Sequence, residues 1–275
     1  SFHWGPYDTI CDEHERGITT FEMFGTNGQF NVSAFAAALA DTGARQGRLL
    51  VFLNDPCNNP TGYSMCDAEW TEIARVLEHA AQRVPLVVLC DVAYLAYARD
   101  SKSFLRFLAP LANSALVLFA WSASKTFTQY GLRVGALIAC TSDAAQRGQV
   151  QRALSFACRG TWSNCVASGQ AAIAKCITDP ALRARVDGER TRLTRLLDAR
   201  VGAFNDAARG TRLRYPRYDG GFFVTVFADD AAAASAKLKA RGVFTVPQPG
   251  AVRVALCSVA QADIATLTRA LDESV

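Results

Sequence analysis

The stretch ALVLFAWSASKTFTQYGLRVGALIAC, residues 115–140, decides the fold that this sequence predicts. It begins with one apolar run, ALVLFA (115–120), and ends with another, VGALIAC (134–140). Short runs that are apolar at consecutive positions are typical of strands buried on both faces of a sheet. Between the two runs lies a polar segment that carries Lys125 together with serines and an arginine. Two buried strands therefore flank residues that are capable of chemistry.

Two similar runs lie upstream of this stretch. RLLVFL (48–53) and LVVLC (86–90) also have the composition of buried strands, and residues 67–83 between them carry apolar side chains at helical spacing. Continuous apolar strands separated by helices indicate strands that are covered on both sides. The sequence therefore predicts an α/β fold, with a mostly parallel sheet and helices on both of its faces.

The second half of the chain has a different pattern. From 180 to 208 the apolar positions repeat with helical period, which predicts one helix about 40 Å long that could link two domains. The segments after it are expected to alternate strand and helix: 221–227, 231–241, 251–257 and 260–272. Such a succession is a small α+β unit. We therefore expect a large domain over residues 1–188 and a small C-terminal domain over residues 189–275.

Composition excludes several classes of protein. Of the 275 residues 50% are hydrophobic and 20% charged, which excludes wholesale disorder. The net charge is only +4 and the basic residues are scattered, so nucleic acid is not an expected partner. No apolar stretch reaches about 18 residues, so no membrane span is expected. The nine cysteines are odd in number and lack a Cys-x-x-Cys pair, which indicates free thiols in a reducing cytoplasm rather than a disulfide framework or a zinc site.

Polar residues follow each of the first three predicted strands. In open α/β sheets ligands bind beyond the carboxyl ends of the strands, so residues that follow different strands meet at one edge. The residues expected to meet there are Asn59, Asp91, Tyr94, Ser122, Ser124, Lys125 and Arg133. This convergence is a stronger signal than any one of these residues.

Lys125 is the most informative of these residues. Desolvation at the end of a buried strand would lower its pKa and make the neutral amine available for Schiff-base formation, whereas the simpler interpretation is a lysine with its ammonium in water. Ser122, Ser124 and Arg133 would form a phosphate clamp around it. Asp91 either caps a turn or holds a protonated pyridine nitrogen. A lysine, a phosphate clamp and a carboxylate together describe a site for pyridoxal 5′-phosphate.

Ordered motifs over most of the chain carry a family resemblance. They are Asn58-Asn59-Pro60-Thr61-Gly62, Asp91-Val92-Ala93-Tyr94, Ser122-Ala123-Ser124-Lys125 with Arg133, Arg159-Gly160-Thr161-Trp162-Ser163-Asn164, Gly220-Gly221-Phe222-Phe223 and Val252-Arg253-Val254. With these motifs the sequence resembles the fold-type-I pyridoxal-phosphate aminotransferases of class I, in particular the aspartate and aromatic amino-acid branch. Six matches in the same order are far more specific than the Asn-Pro-Thr-Gly turn alone.

The resemblance implies a role for each cofactor residue. Lys125 would hold pyridoxal phosphate as a Schiff base and then move a proton between the substrate and the cofactor. Asp91 would keep the pyridine nitrogen protonated, and Tyr94 and Asn59 would hydrogen-bond the phenolic oxygen of the ring. Trp4 is placed like a tryptophan that stacks on the ring, although an ordinary aromatic core residue would fit the sequence too. Asn59 and Trp4 would also contact the substrate.

Two arginines are implied to bind substrate. Arg253 would bind the α-carboxylate, because the planar guanidinium matches a carboxylate in a bidentate pair. Arg159 resembles an arginine that binds a side-chain carboxylate from the neighbouring subunit, which implies a homodimer and a dicarboxylic substrate such as aspartate or glutamate. The alternative for Arg159 is an exposed arginine without a ligand. Aromatic amino acids are the other expected donors.

The sequence departs from the family pattern at three places. Ser163-Asn164-Cys165-Val166 stands where the family has Ser-Asn-Pro-Pro, and Ala255 stands where the branch usually has Asn. The glycine-rich loop that completes the phosphate site has no counterpart, so we expect a C-terminal portion of a longer protein. The expected activity is amino transfer between an amino acid and a 2-oxo acid. The alternatives are a β-elimination lyase on the same scaffold and a non-catalytic fragment.

Overall fold

The computed structural model describes residues 2–99 and 103–275. The helices are α1 Pro6–Asp12, α2 Val32–Gln46, α3 Asp67–Ala81, α4 Leu105–Leu108, α5 Ala123–Thr126, α6 Ala144–Thr161, α7 Ala167–Thr178, α8 Pro180–Ala208, α9 Ala231–Ala240 and α10 Ile264–Asp272. The strands are β1 Leu49–Asn54, β2 Leu86–Asp91, β3 Leu116–Ser122, β4 Gly135–Cys140, β5 Val224–Phe227, β6 Val246–Gln248 and β7 Ala251–Val254.

The first four strands form one sheet in the order β1-β2-β3-β4. β1, β2 and β3 are parallel, and β4 runs antiparallel to β3. The register pairs Asn54 with Asp91, and Asp91 with Ala120, so the carboxyl ends of three strands lie side by side. The predicted mostly parallel α/β sheet is confirmed, and its strands begin and end within about two residues of the predicted bounds.

α2 and α3 pack on this sheet through apolar faces, and the sheet β1–β4 with these helices is called the large unit. Trp70, Ile73 and Leu77 of α3 repeat at three- and four-residue spacing, and they are buried in the same cluster as the strand residues Val88 and Val117. This face was predicted from the periodicity. α2 was not predicted, because its apolar positions are interrupted by a run of alanines that gives a weak helical pattern.

The long helix α8 is confirmed over its whole predicted length. The Asp179 carboxylate accepts hydrogen bonds from two backbone N–H groups of its first turn, and the helix then continues without interruption to Ala208. Its C-terminal half buries Val201 and Phe204 in the core of the small unit. The predicted domain boundary at residues 188/189 lies inside this helix, and it stays a prediction. No helix in ranges 2–99 and 103–275 is long and apolar enough to cross a bilayer.

The small unit is an antiparallel sheet in the order β5-β7-β6, packed against α8, α9 and α10. The predicted strand over 221–227 begins only at Val224, because the preceding segment turns at Gly221, whose φ is +81°. β6 was not predicted, since it is three residues long, contains Pro247 and is largely exposed.

The two units meet at the turn formed by residues 58–62. The buried Thr225 hydroxyl of β5 donates a hydrogen bond to the carbonyl oxygen of Pro60 at 2.9 Å. Gly62 has a φ of +71°, and a Cβ added to it would lie 2.3 Å from the carbonyl oxygen of Phe223 and 2.4 Å from the ring of Tyr218. Glycine is therefore required there both by the backbone conformation and by the close approach of the small unit.

This contact gives a prediction with a matched control. Gly62→Ala should lower the free energy of unfolding by roughly 3 kcal/mol or more, because a methyl group there clashes with backbone and ring atoms. Gly47→Ala is the control, since Gly47 has a similar φ of +66° but an added Cβ would meet no atom within 4 Å. Gly47→Ala should lower the free energy of unfolding by only roughly 1 kcal/mol. Urea unfolding of both variants measures the difference, and equal losses would contradict the close packing.

Candidate active site

Asp91 ends β2 at the carboxyl edge of the sheet and has its carboxylate held by two donors. One oxygen accepts the backbone N–H of Ala93 at 3.0 Å, and the other accepts the hydroxyl of Tyr7 at 2.6 Å. The side-chain amide of Asn54, from the neighbouring strand, donates to the Asp91 carbonyl oxygen at 3.0 Å. The carboxylate is therefore fixed in orientation, and its remaining lone pairs can accept a further donor.

Tyr7 was not singled out from the sequence. It is only 6% exposed, and its pKa is raised by burial and then by the negative charge of Asp91. The hydroxyl therefore stays protonated and donates a hydrogen bond throughout the physiological range. No sequence pattern could have paired Tyr7 with a carboxylate 84 positions away, because the contact depends on α1 lying across the edge of the sheet.

Asn59 joins the large unit to the small unit. Its side-chain oxygen accepts a hydrogen bond from the Arg253 guanidinium at 3.1 Å, and its amide nitrogen lies 3.5 Å from the Tyr94 hydroxyl. The Arg253 guanidinium also lies over the ring of Phe223, 4.5 Å from its centroid. Burial, followed by the charge of Asp91, raises the pKa of Tyr94, so this hydroxyl is neutral. Three predicted site residues, Asn59, Tyr94 and Arg253, are therefore in one connected network.

Lys125 lies in the short helix α5, directly after β3, and is half-buried. Its ammonium nitrogen lies 4.9 Å from the ring centroid of Tyr130 and 5.8 Å from that of Tyr94. Burial lowers the pKa of Lys125. Cys257 raises this pKa by a smaller amount, and the positive charges of Arg133 and Arg253 lower it further. A lysine in these surroundings is a better nucleophile near neutral pH than a lysine in water.

Ser122, Ser124 and Arg133 lie together beside Lys125. The Ser122 hydroxyl accepts the backbone N–H of Ser124 at 3.2 Å, and the Arg133 guanidinium donates to the Ser124 hydroxyl at 3.5 Å. Arg133 also donates to the carbonyl oxygen of Tyr130 at 2.8 Å, which fixes its position. Two hydroxyls and an exposed guanidinium form a donor set suited to an anion such as a phosphate.

Comparisons with known proteins establish the family and the fold of this chain. The model of the family "aminotransferase class I and II" matches residues 1–271. The chain belongs to this family. Among curated relatives, the tyrosine aminotransferase of Klebsiella pneumoniae is 28% identical over 227 residues, 80% of this chain and 55% of the relative. The aromatic-amino-acid aminotransferase of Paracoccus denitrificans is 31% identical over 196 residues, 69% of this chain and 48% of the relative.

Solved structures of the family have the same fold. An aminotransferase from Anaerococcus prevotii has a TM-score of 0.94 at 32% identity and covers 99% of this chain, which in turn covers 68% of that structure. An aromatic-amino-acid aminotransferase from Burkholderia pseudomallei, described as covalently bound to pyridoxal phosphate, has a TM-score of 0.78 at 23% identity and covers 99% of this chain. The chain spans about half the length of the curated relatives it matches.

Trp4 and Arg159 lie outside the hydrogen-bonded network of this aminotransferase-family chain. Trp4 is 37% exposed and packs edge-on against Tyr7, with 5.3 Å between the ring centroids. Arg159 lies in the last turn of α6, is exposed, and donates a hydrogen bond to the Ser163 hydroxyl within its own segment. Within ranges 2–99 and 103–275, no hydrogen bond or ion pair joins Arg159 to Asp91 or Lys125.

Proposed function

We propose that the protein to which this chain belongs is a pyridoxal-phosphate-dependent aminotransferase, which moves an amino group between an amino acid and a 2-oxo acid. One observation carries the proposal. A half-buried Lys125 with a lowered pKa lies at the same sheet edge as the oriented carboxylate of Asp91 and the Ser124–Arg133 pair. The names of the relatives and the cofactor of the Burkholderia pseudomallei structure support it.

The donor set fits pyridoxal phosphate group by group. The Asp91 carboxylate would accept a hydrogen bond from the protonated ring nitrogen. Tyr94 and Asn59 would hydrogen-bond the phenolic oxygen of the ring. The phosphate would be held by Ser122, Ser124 and Arg133, and Trp4 would stack on the ring. Lys125 would attach the cofactor through its amine. When bound, the cofactor supplies an aldehyde carbon and a protonated ring that takes up electron density from the substrate α-carbon.

Lys125 and Arg253 would act on the substrate, Lys125 in proton transfer and Arg253 in binding. Arg253 would bind the substrate α-carboxylate, and its contacts with Asn59 and Phe223 hold the guanidinium ready for that ligand. Lys125 would take the proton from the substrate α-carbon and deliver it at the C4′ position of the cofactor. Its lowered pKa favours the neutral amine that this proton transfer needs.

Tyr7 would act as a positioning residue for Asp91. Its hydroxyl donates to one carboxylate oxygen at 2.6 Å and stays neutral, so it can orient the carboxylate without giving up its proton. A hydrogen bond to a charged group contributes about 1.5–3 kcal/mol, which is enough to change cofactor affinity about tenfold.

Arg159 supports the proposal of a homodimer with shared sites. Among residues 2–99 and 103–275 the exposed Arg159 guanidinium donates a hydrogen bond only to Ser163 of its own segment, so its outer face is available to a second copy of the chain. α6 has no buried residue, and Phe156 (83% exposed), Trp162 (64%) and Val166 lie uncovered on and beyond it. We propose that a second copy covers this apolar surface and that Arg159 binds the side-chain carboxylate of a dicarboxylic donor. A cytoplasmic location is proposed from the free cysteines.

The first prediction from the proposed function tests the activity through Lys125. The protein with added pyridoxal phosphate should develop an absorbance band of bound cofactor that changes when aspartate, glutamate or an aromatic amino acid is added. The rate of cofactor capture should rise with pH, with a midpoint below the value of about 10.4 for an ordinary lysine, because only the neutral amine reacts.

Two variants of Lys125 serve as controls. Lys125→Ala should abolish the band, and Lys125→Arg should also abolish it while keeping the positive charge. A band unchanged in Lys125→Ala would overturn the assignment of this lysine. A substrate-dependent change without 2-oxo-acid-dependent amino transfer would contradict an aminotransferase.

The second prediction concerns Tyr7. Tyr7→Phe should weaken cofactor binding about tenfold and shift the pH dependence of the cofactor band, because one donor to Asp91 is lost. Tyr215→Phe is the matched control, since its hydroxyl donates to the neutral Asn205 in the small unit. Fluorescence titration measures the affinity. If Tyr7→Phe and Tyr215→Phe changed the cofactor affinity equally, the Tyr7 hydroxyl would have no role in positioning Asp91.

The third prediction concerns donor choice. Arg159→Ala should reduce kcat/KM for aspartate or glutamate about a hundredfold and leave an aromatic donor within a few-fold, because only the dicarboxylate loses an ionic contact. Arg152→Ala, on the same exposed helix, should change neither. Steady-state kinetics with both donor classes gives the comparison. A parallel loss for both donors would refute the role of Arg159.

A further inference from the structure

Two cysteines enclose the segment that carries Arg159. Cys158 lies in the last turn of α6, and Cys165 lies two residues before α7. Their sulfur atoms are 3.9 Å apart, although both thiols are free. The chain between them reverses direction at Ser163, whose φ is +67°.

Local hydrogen bonds hold this reversal in place. The backbone N–H of Trp162 donates to the carbonyl oxygen of Cys158 at 3.1 Å, and that of Asn164 donates to the carbonyl oxygen of Trp162 at 2.8 Å. The Asn164 side-chain oxygen accepts the backbone N–H of Cys165 at 2.8 Å. The ordered segment therefore holds the two sulfur atoms 3.9 Å apart, and a disulfide of about 2.05 Å requires them to move about 2 Å closer.

We propose that Cys158 and Cys165 form a reversible dithiol/disulfide site. In a single chain, before a second copy covers this surface, Cys165 is exposed and Cys158 is half-buried, so a small oxidant meets Cys165 first and Cys158 is then the resolving thiol. Cys165 stands where the motif that this segment resembles has a proline, so the motif itself does not account for the cysteine.

The reaction balances with a hydroperoxide as the oxidant. The Cys165 thiolate attacks the peroxide oxygen, the O–O bond breaks, and hydroxide leaves with a sulfenic acid formed on Cys165. The Cys158 thiolate then attacks the Cys165 sulfur, the S–S bond forms and a second hydroxide leaves. The two thiols lose two electrons and two protons, and one hydrogen peroxide becomes two waters. A small dithiol reverses the bond by exchange.

Formation of the Cys158–Cys165 disulfide would change the surroundings of Arg159. The guanidinium donates to the Ser163 hydroxyl, and both residues lie inside the eight-residue loop that the disulfide would close. Drawing Cys158 towards Cys165 fixes the last turn of α6 and restricts the reach of Arg159. This consequence, unlike the disulfide itself, rests on the proposed role of Arg159 in binding dicarboxylic donors.

Peptide mapping tests the disulfide directly. The chain is treated with one equivalent of hydrogen peroxide at low protein concentration, so that a second copy does not cover the segment, and it is then alkylated and digested with trypsin. Cleavage at Arg152, Arg159 and Lys175 places Cys158 in ALSFACR (153–159) and Cys165 in GTWSNCVASGQAAIAK (160–175). The expected result is these two peptides joined, with a mass about 2 Da below their sum.

Controls make the result specific. The oxidised chain should take up two alkyl groups fewer than the nine of the reduced chain, and dithiothreitol should restore all nine. Cys165→Ser and Cys158→Ser should each lose the joined peptide, whereas Cys176→Ser, a half-buried cysteine of α7, should keep it. The site is overturned if the joined peptide does not form, if it persists in Cys165→Ser, or if the lost thiols are not recovered by dithiothreitol.

Kinetics of the oxidised, cofactor-loaded protein tests the consequence separately. The KM for a dicarboxylic donor should rise several-fold on oxidation and return on reduction, while the KM for an aromatic donor stays unchanged. Cys165→Ser should show no such response. A joined peptide without a change in KM would overturn the effect on Arg159 and leave the disulfide site standing, because the mapping needs neither cofactor nor activity.

Discussion

The contact of the 58–62 turn with the small unit is the constraint on which the rest of the site depends. Gly62 lets the turn pack directly on Phe223, and the Thr225 hydroxyl ties the carbonyl oxygen of Pro60 to β5. Asn59, which lies in this turn, then meets Arg253 of β7. Arg253 and the carboxyl edge of the large sheet come from different units, so only this contact brings Arg253 and Asn59 within hydrogen-bond distance.

The lowered pKa of Lys125 depends in part on the same contact between the two units. Arg133 is close to Lys125 in the chain, but Arg253 is not, and both positive charges lower the pKa of Lys125 in addition to its burial. Asp91 lies on the neighbouring strand with its carboxylate held by Tyr7 and the backbone of Ala93. The large unit thus provides Lys125 and the Asp91 carboxylate, and the small unit provides the Arg253 guanidinium, whose charge helps to lower the pKa of Lys125.

Much of the fold and of the site could be predicted from local pattern. The strands and α8 have strong periodicity or continuous apolar runs, and the residues after each strand gather at one edge because parallel strands align their carboxyl ends. β6 was missed because a three-residue exposed strand with a proline has no apolar pattern. Tyr7 was missed because nothing in the sequence marks a hydrogen bond formed across 84 positions.

Periodicity and motifs that are contiguous in the chain were enough to predict the α/β architecture, the family and most of the candidate site residues, but not Tyr7. How these residues contact one another depends on the tertiary packing. The Tyr7–Asp91 and Asn59–Arg253 hydrogen bonds and the 3.9 Å approach of the Cys158 and Cys165 sulfur atoms are distances between atoms. Such distances are set by the packing of α1, the docking of the small unit and the turn at Ser163, and local sequence pattern does not encode them.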